Sequence, residues 1–275
     1  MRYAAIRHTL SSEPMLITPD YRNALLEILD QHVALTRAEF RAAREGSTRS
    51  GDAVDLDQME IVDGIAWIPV GGPIGYRLGK FEKGAGAVDV ADITTDIDEA
   101  ESSDEVSALV LDMDTPGGMV SGIPELADRI RACDKPICAW SGGGMIASAG
   151  YWLASACDGV FVTKSADVGS IGVYAPFTDL SKMAEMQGIK VKVFSSGKYK
   201  GMGVPGTEMT LDQQNFMQAR VMEIAAAFYN HVRAMRTDVQ DEDMQGQIFK
   251  ADSALARGLV DGIMATKDDL VAFLS

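Results

Sequence analysis

The chain has 275 residues, 47% of them hydrophobic and 24% charged, with a net charge of -15. That composition supports a large core in one large domain or two small ones. The acidity, read as a solubility device, argues against a phosphate-bearing partner, whether nucleic acid or an anionic membrane surface.

Taken in chain order, the N-terminal stretch MRYAAIRHTLSSEPMLITPD has no uninterrupted apolar region, so no secretory leader is expected. No run of about 18 apolar residues occurs anywhere, so no membrane span is expected and a cytoplasmic setting is. Leu25, Leu26, Ile28, Leu29, Val33 and Leu35 recur at helical spacing and predict a helix from Pro19 to about Glu45. The polar stretch EGSTRSGDAVD (45–55) then predicts a linker. Residues 1–58 are therefore expected to form a helical N-terminal piece, and 59–275 the main domain.

In that main domain, strands are predicted at 65–72 (IAWIPVGG), 107–114 (SALVLDMD), 135–142 (KPICAWSG), 159–164 (GVFVTK) and 189–197 (IKVKVFSSG). Between them, VDVADITTDIDEAESS, SGIPELADRIRAC, GGMIASAGYWLASAC and FTDLSKMAEMQG predict helices, and the chain from Thr210 on is mostly helical. Strands alternating with helices imply an α/β domain with a largely parallel sheet. The cysteines Cys133, Cys138 and Cys157 and the three histidines lack the short spacings of a zinc site. No metal or cofactor is expected, and the thiols are expected to be free, with Cys157 a small core residue.

Three glycine-rich corners fall at the carboxyl ends of strands, where parallel α/β sheets place their sites: TPGG (115–118), SGGGMIASAG (141–150) and ADVGSIG (166–172). In the second corner a helix is predicted to open near Ala147, with Ser148 in its first turn. Amides there lack intrahelical partners and favour a developing oxyanion. Ala147, Ala149 and Gly150 are small enough to let a peptide approach. Taken alone, the corner suits an ordinary helix start better. In the first corner Gly117 and Gly118 present bare amides, the material of an oxyanion hole or of a plain turn.

A serine nucleophile needs a base. His8 and His32 lie in the N-terminal piece and His231 on the edge of a long amphipathic helix, so a Ser-His-Asp triad is not expected. Lys198 and Lys200 follow a predicted strand directly, and Ser-Lys pairs are a known alternative. A buried lysine loses part of its preference for the charged form and becomes a usable base.

Together, LVLDMDTPGG, MIASAGYWLAS, VGSIGVY and SSGKYKGMGVPG resemble the signal peptide peptidase A family of serine peptidases over about residues 60–264. The tail segments MTLDQQNFMQ and GQIFKADSALARGLVDGI match as well, and Lys200 follows Ser148 by 52 residues. The resemblance implies that Ser148 is the nucleophile, Lys200 rather than Lys198 the base, and Ser170 the serine that orients the lysine. It implies oxyanion-hole amides from Gly118 and Ala149, a Clp-protease/crotonase-like ββα superhelix, and assembly of several copies into a ring.

Membrane-bound members carry an N-terminal anchor that this sequence is expected to lack. The GKYKGMGVPG loop and helical N-terminus are more like the bacteriophage branch, the capsid-assembly proteases that cut scaffold and capsid proteins. A chain ending at Ser275 implies that any scaffold is a separate protein. Three rival readings are weighed: a cytoplasmic peptidase of signal-peptide remnants, a crotonase-type acyl-CoA enzyme using Asp112 or Asp114, and an inactive structural capsid protein.

Overall fold

The computed structural model describes residues 13–34 and 58–274. The linker predicted at 45–55 and the far end of the first predicted helix lie outside the described residues. In chain order the elements begin with β1 (Met15–Ile17), α1 (Pro19–Ala34), β2 (Glu60–Val62), β3 (Ile65–Gly71), β4 (Ile74–Gly75), α2 (Lys80–Gly84), β5 (Val88–Asp89) and α3 (Val90–Ser102). Next come β6 (Ala108–Asp114), β7 (Gly117–Met119), α4 (Ile123–Arg131), β8 (Ile137–Ser141), β9 (Met145–Ala147), α5 (Ala149–Ser155), β10 (Gly159–Val162), β11 (Asp167–Gly169) and α6 (Ser181–Met186). The tail holds α7 (Leu211–Met235), a 3-10 turn (Asp241–Asp243), β12 (Ile248–Lys250), α8 (Ala251–Ala256), β13 (Gly262–Ile263) and α9 (Lys267–Leu274).

The main sheet runs β13-β10-β8-β6-β3-β2 and is parallel except at its β2–β3 edge. Its central strands are near-continuous apolar runs because both faces are covered. On one face Ala66, Ile68, Leu109, Leu111 and Ala139 join Ile93 and Ile97 of α3 and Leu126 and Ile130 of α4. On the other, Ile65, Trp67, Val110, Trp140 and Phe161 meet Leu270 of α9. Cys157 is a buried core residue as expected, and all three cysteines are free thiols.

A short strand follows each long one before the next helix: β3 leads to β4, β6 to β7, β8 to β9, and β10 to β11. The short strands build two small sheets, β1-β7-β4-β5 and β12-β11-β9. This ββα repetition is the superhelix that the resemblance implies.

Two sequence expectations change. The segment at 143–157 is not one helix: its first part is β9, and the helix opens only at Ala149. The strand expected at 189–197 does not form. Its apolar residues alternate as a strand's would, but among the described residues no sheet edge pairs with them, and Ile189, Val193 and Phe194 stay exposed. Strand β1, near the start of the described residues, pairs with β7.

The long tail helix α7 starts at a reciprocal cap between Thr210 and Gln213 and docks through Phe228, whose ring stacks on Trp152 at 4.6 Å. Both rings are buried, so Phe228→Ala is expected to cost about 3–5 kcal/mol of stability. Urea unfolding of the two proteins measures it.

Candidate active site

Each corner is positioned by pairing between the small strands. Thr115 continues from β6; its amide donates to Met145 O at 2.7 Å, and its carbonyl accepts from the Ala147 amide at 3.1 Å. This lays the TPGG corner alongside β9. On the other side β9 pairs in parallel with β11, Ala147 opposite Gly169. The amide of Ser148 then donates to Gly169 O at 2.8 Å.

Ser148 is therefore the cap before α5, and the helix opens two residues later than the sequence predicts. Its backbone sits at φ 55°, ψ -115°, a region that side-chain-bearing residues seldom adopt. The strand-turn-helix geometry around this serine has the layout of a nucleophile elbow. Ser170, at the matching position after β11, also has positive φ, at 53°. Its amide donates to Gln247 O at 2.6 Å, so β12 and the turn before it hold it in place. The two serines thus stand side by side at the ends of two paired strands, both buried.

The glycine corner completes the arrangement. A side chain on Gly117, which lies at φ 98°, would lie 2.8 Å from Ser148 Cβ and 3.0 Å from Ala149 N. Only glycine lets this backbone approach the serine so closely. The Gly117 amide is tied to Thr115 Oγ1 at 3.2 Å, which leaves Gly118 as the donor of the pair facing away from that contact. Ala149 opens the helix, and its amide is one of the first-turn donors without an intrahelical partner.

The small residues beside Ser148 serve packing rather than substrate entry. Ala147, Ala149 and Gly150 are fully enclosed, and a methyl on Gly150 would run into the Thr115 side chain.

The structure thus gathers Ser148, Ser170, Gly118 and Ala149, and leaves Lys200 apart. The burial expected for Lys200 is absent: it is exposed on the turn that follows the unpaired 189–197 segment. It lines a surface cavity of ≈ 420 Å³ with Ser195, Lys198, Thr207 and Gln213. Among the described residues no hydrogen bond joins it to Ser148 or Ser170. Lys198 pairs with Asp212 at 3.2 Å, and hydrogen bonds with Tyr199 and Asp212 push its ammonium up, away from a base's range.

His231 packs its ring on Trp152 of α5, 5.9 Å between centroids. Asp112 is held by Lys267 at 2.6 Å and Asp114 accepts from the Met145 amide at 2.9 Å, so both carboxylates have structural partners.

Sequence reasoning misses Thr115 and Gln247, which fix the two corners. Their signal lies in TPGG and GQIF, words that carry the resemblance without pointing to these two residues. The GLVD segment likewise has a physical role. Leu259 O accepts from Tyr151 Oη at 2.9 Å, and Asp261 accepts from Arg236 at 2.6 Å and from the Val160 amide at 2.8 Å. The Tyr151 bond clamps the tail onto the helix that follows Ser148, and the Val160 bond clamps it onto β10.

The sequence model of Peptidase family S49 matches residues 129–274. The chain belongs to Peptidase family S49. It is 32% identical to Capsid assembly protease C of Escherichia phage lambda, over 94% of this chain and 62% of that protein. It is 25% identical to Head-tail preconnector protein GP5 of Enterobacteria phage P21, over 94% of this chain and 54% of that one. A putative signal peptide peptidase SppA of Enterococcus faecium is 29% identical over 64% of this chain and 53% of its own length. The chain therefore spans a little over half the length of these relatives. Among solved structures, a ClpP1 variant from Listeria monocytogenes has the same fold, with a TM-score of 0.50 at 12% identity over 74% of this chain and 94% of that one. Among the described residues no helix is long and apolar enough to cross a membrane.

Burial pushes His231 below its ordinary value of 6.5, with the nearby Arg131 adding to the effect. Such a histidine is neutral in the fold and charges more readily in the unfolded chain, so stability is full above pH 6.5 and falls as the pH drops through that value. His231→Phe is expected to flatten this dependence, as read by urea unfolding at pH 7.5 and 5.5.

Proposed function

We propose that this S49 member is a serine endopeptidase in which Ser148 is the nucleophile, Lys200 the base and Ser170 the group that orients it. The observation that carries the reading is the strained cap at Ser148, set against Gly117 and the Ala149 amide. A fold keeps a serine in that conformation only when its surroundings enforce it, and such positions concentrate at functional sites.

In the proposed reaction the Lys200 amine takes the Ser148 proton as Oγ attacks the substrate carbonyl. The Gly118 and Ala149 amides hold the oxyanion. The lysine then gives the proton to the leaving amine, and water hydrolyses the acyl-enzyme.

A lysine acts as a base only when desolvated. In the single chain Lys200 is exposed, and the segment before it shows Met186 at 87% and Phe194 at 93% exposure. A homo-oligomer that covers these apolar residues would fold the Lys200 turn inward, which accords with the ring assembly expected from the resemblance.

The substrates we propose are capsid and scaffold proteins, supported by similarity to relatives named capsid assembly protease and head-tail preconnector protein. The relative named signal peptide peptidase supports a second reading, the degradation of small peptides.

Ser148→Ala is expected to lower peptidase activity at least about a thousandfold, and Lys200→Met comparably, since paired groups fail together. Ser170→Ala is expected to cost about a hundredfold through misplacement of the base. Mass spectrometry of the protein with its candidate capsid and scaffold partners, wild type against Ser148→Ala, measures both rate and substrate. Wild-type activity in Ser148→Ala contradicts the assignment. Cleavage of short peptides alone favours the second reading.

A further inference from the structure

The strand β1 lies where no part of a resting peptidase needs to be. It pairs antiparallel with β7, Leu16 opposite Gly118 and Ile17 opposite Gly117. On its other edge Met15 exchanges two backbone bonds with Tyr174, at 2.9 and 3.3 Å, four residues beyond Ser170. The segment is thus held as an extended strand between the two corners that carry Gly118 and Ser170.

The register is specific. The Thr18 amide donates to Pro116 O at 3.0 Å, making these two a hydrogen-bonded pair. Bonded and non-bonded pairs alternate in an antiparallel ladder, so Leu16 and Gly118 form the next bonded pair. The Leu16 carbonyl therefore faces the Gly118 amide. It also touches the point where a side chain on Gly117 would start, the point that lies against Ser148 Cβ and Ala149 N.

The side chains alternate in the same sense. Leu16 enters the main core, whereas Met15 and Ile17 pack with Leu25 and Leu26 of α1 and with Tyr174. The helix that follows the strand thus covers it.

We propose that Met15–Thr18 is an intramolecular pseudo-substrate: it fills the peptide slot in cis, with Leu16 in the position whose carbonyl Ser148 would attack. The site is shut until this strand is displaced. A peptide that replaces it has to be extended and to offer an apolar residue where Leu16 stands. The inference rests on the reading of Ser148 as the nucleophile.

The test locks the strand in place. Met15 and Tyr174 form a bonded antiparallel pair, whose Cα separation of about 5.5 Å suits a disulfide. In the full-length Met15→Cys/Tyr174→Cys protein, with the cross-link verified by intact mass, a fluorophosphonate probe is expected to label Ser148 at least about tenfold more slowly when oxidised than when reduced, as the open fraction falls. In a second protein, Leu16→Asp, with its melting temperature checked, labelling is expected to be faster than in wild type. Equal labelling of the oxidised and reduced forms overturns the proposal while leaving the nucleophile intact, as does slower labelling of a folded Leu16→Asp. Absence of Ser148-dependent labelling in every form overturns the peptidase reading, and the pseudo-substrate with it.

Discussion

Two three-residue strands, Met145–Ala147 and Asp167–Gly169, run in parallel with Ala147 opposite Gly169, and the residue that follows each is a serine at positive φ. The site depends on this pairing. It fixes the Ser148 amide on Gly169 O and leaves the side chains of both serines at the same end of the small sheet. A positive φ on a residue with a side chain is costly and is tolerated only where several neighbours enforce it. Here they are Thr115 on one flank and Gln247 on the other, each holding its corner through backbone or hydroxyl bonds. The large parallel sheet contributes rigidity, and the tail contributes closure, through Phe228 on Trp152 and Asp261 on Arg236.

The long strands are legible in the sequence because they are buried on both faces. Stretches such as ALVL and GVFV have no polar side to hide, and a parallel sheet is the architecture that uses them. The short strands are not legible. Gly117–Met119 and Met145–Ala147 sit among glycines that look like turns, and their strand character comes entirely from distant partners: β1 and β4 for the first, β11 for the second. The opposite mismatch arises at 189–197, where the alternation of Ile189, Val191 and Val193 is a real strand pattern without a strand partner among the described residues. Periodicity reports what a segment is fit to do, and pairing decides whether it does so.

The same division runs through the site. Ser148, Ser170, Gly118 and Ala149 can be named from sequence and lie together, because each belongs to a corner whose strands the fold must align. Lys200 can be named from the same source, yet it stands exposed on a turn that no strand anchors among the described residues. Backbone pairing within one chain is enough to bring a serine cap and glycine and helix-start amides together. A desolvated lysine needs a cover, and the segment before this one exposes apolar residues. The N-terminal strand adds the reverse lesson: MLI is too short to register as an element, yet it completes the small sheet that holds the TPGG corner.

The sharpest test of the Ser148–Lys200 site is a crystal structure of the assembled protein with a peptide aldehyde bonded to Ser148. The adduct oxygen is expected between the Gly118 and Ala149 amides, the peptide in the strand position next to Gly117–Met119, and the Lys200 amine within hydrogen-bond reach of Ser148 Oγ. An adduct whose oxygen points away from both amides, or a Lys200 still in solvent beside a modified Ser148, would contradict this site.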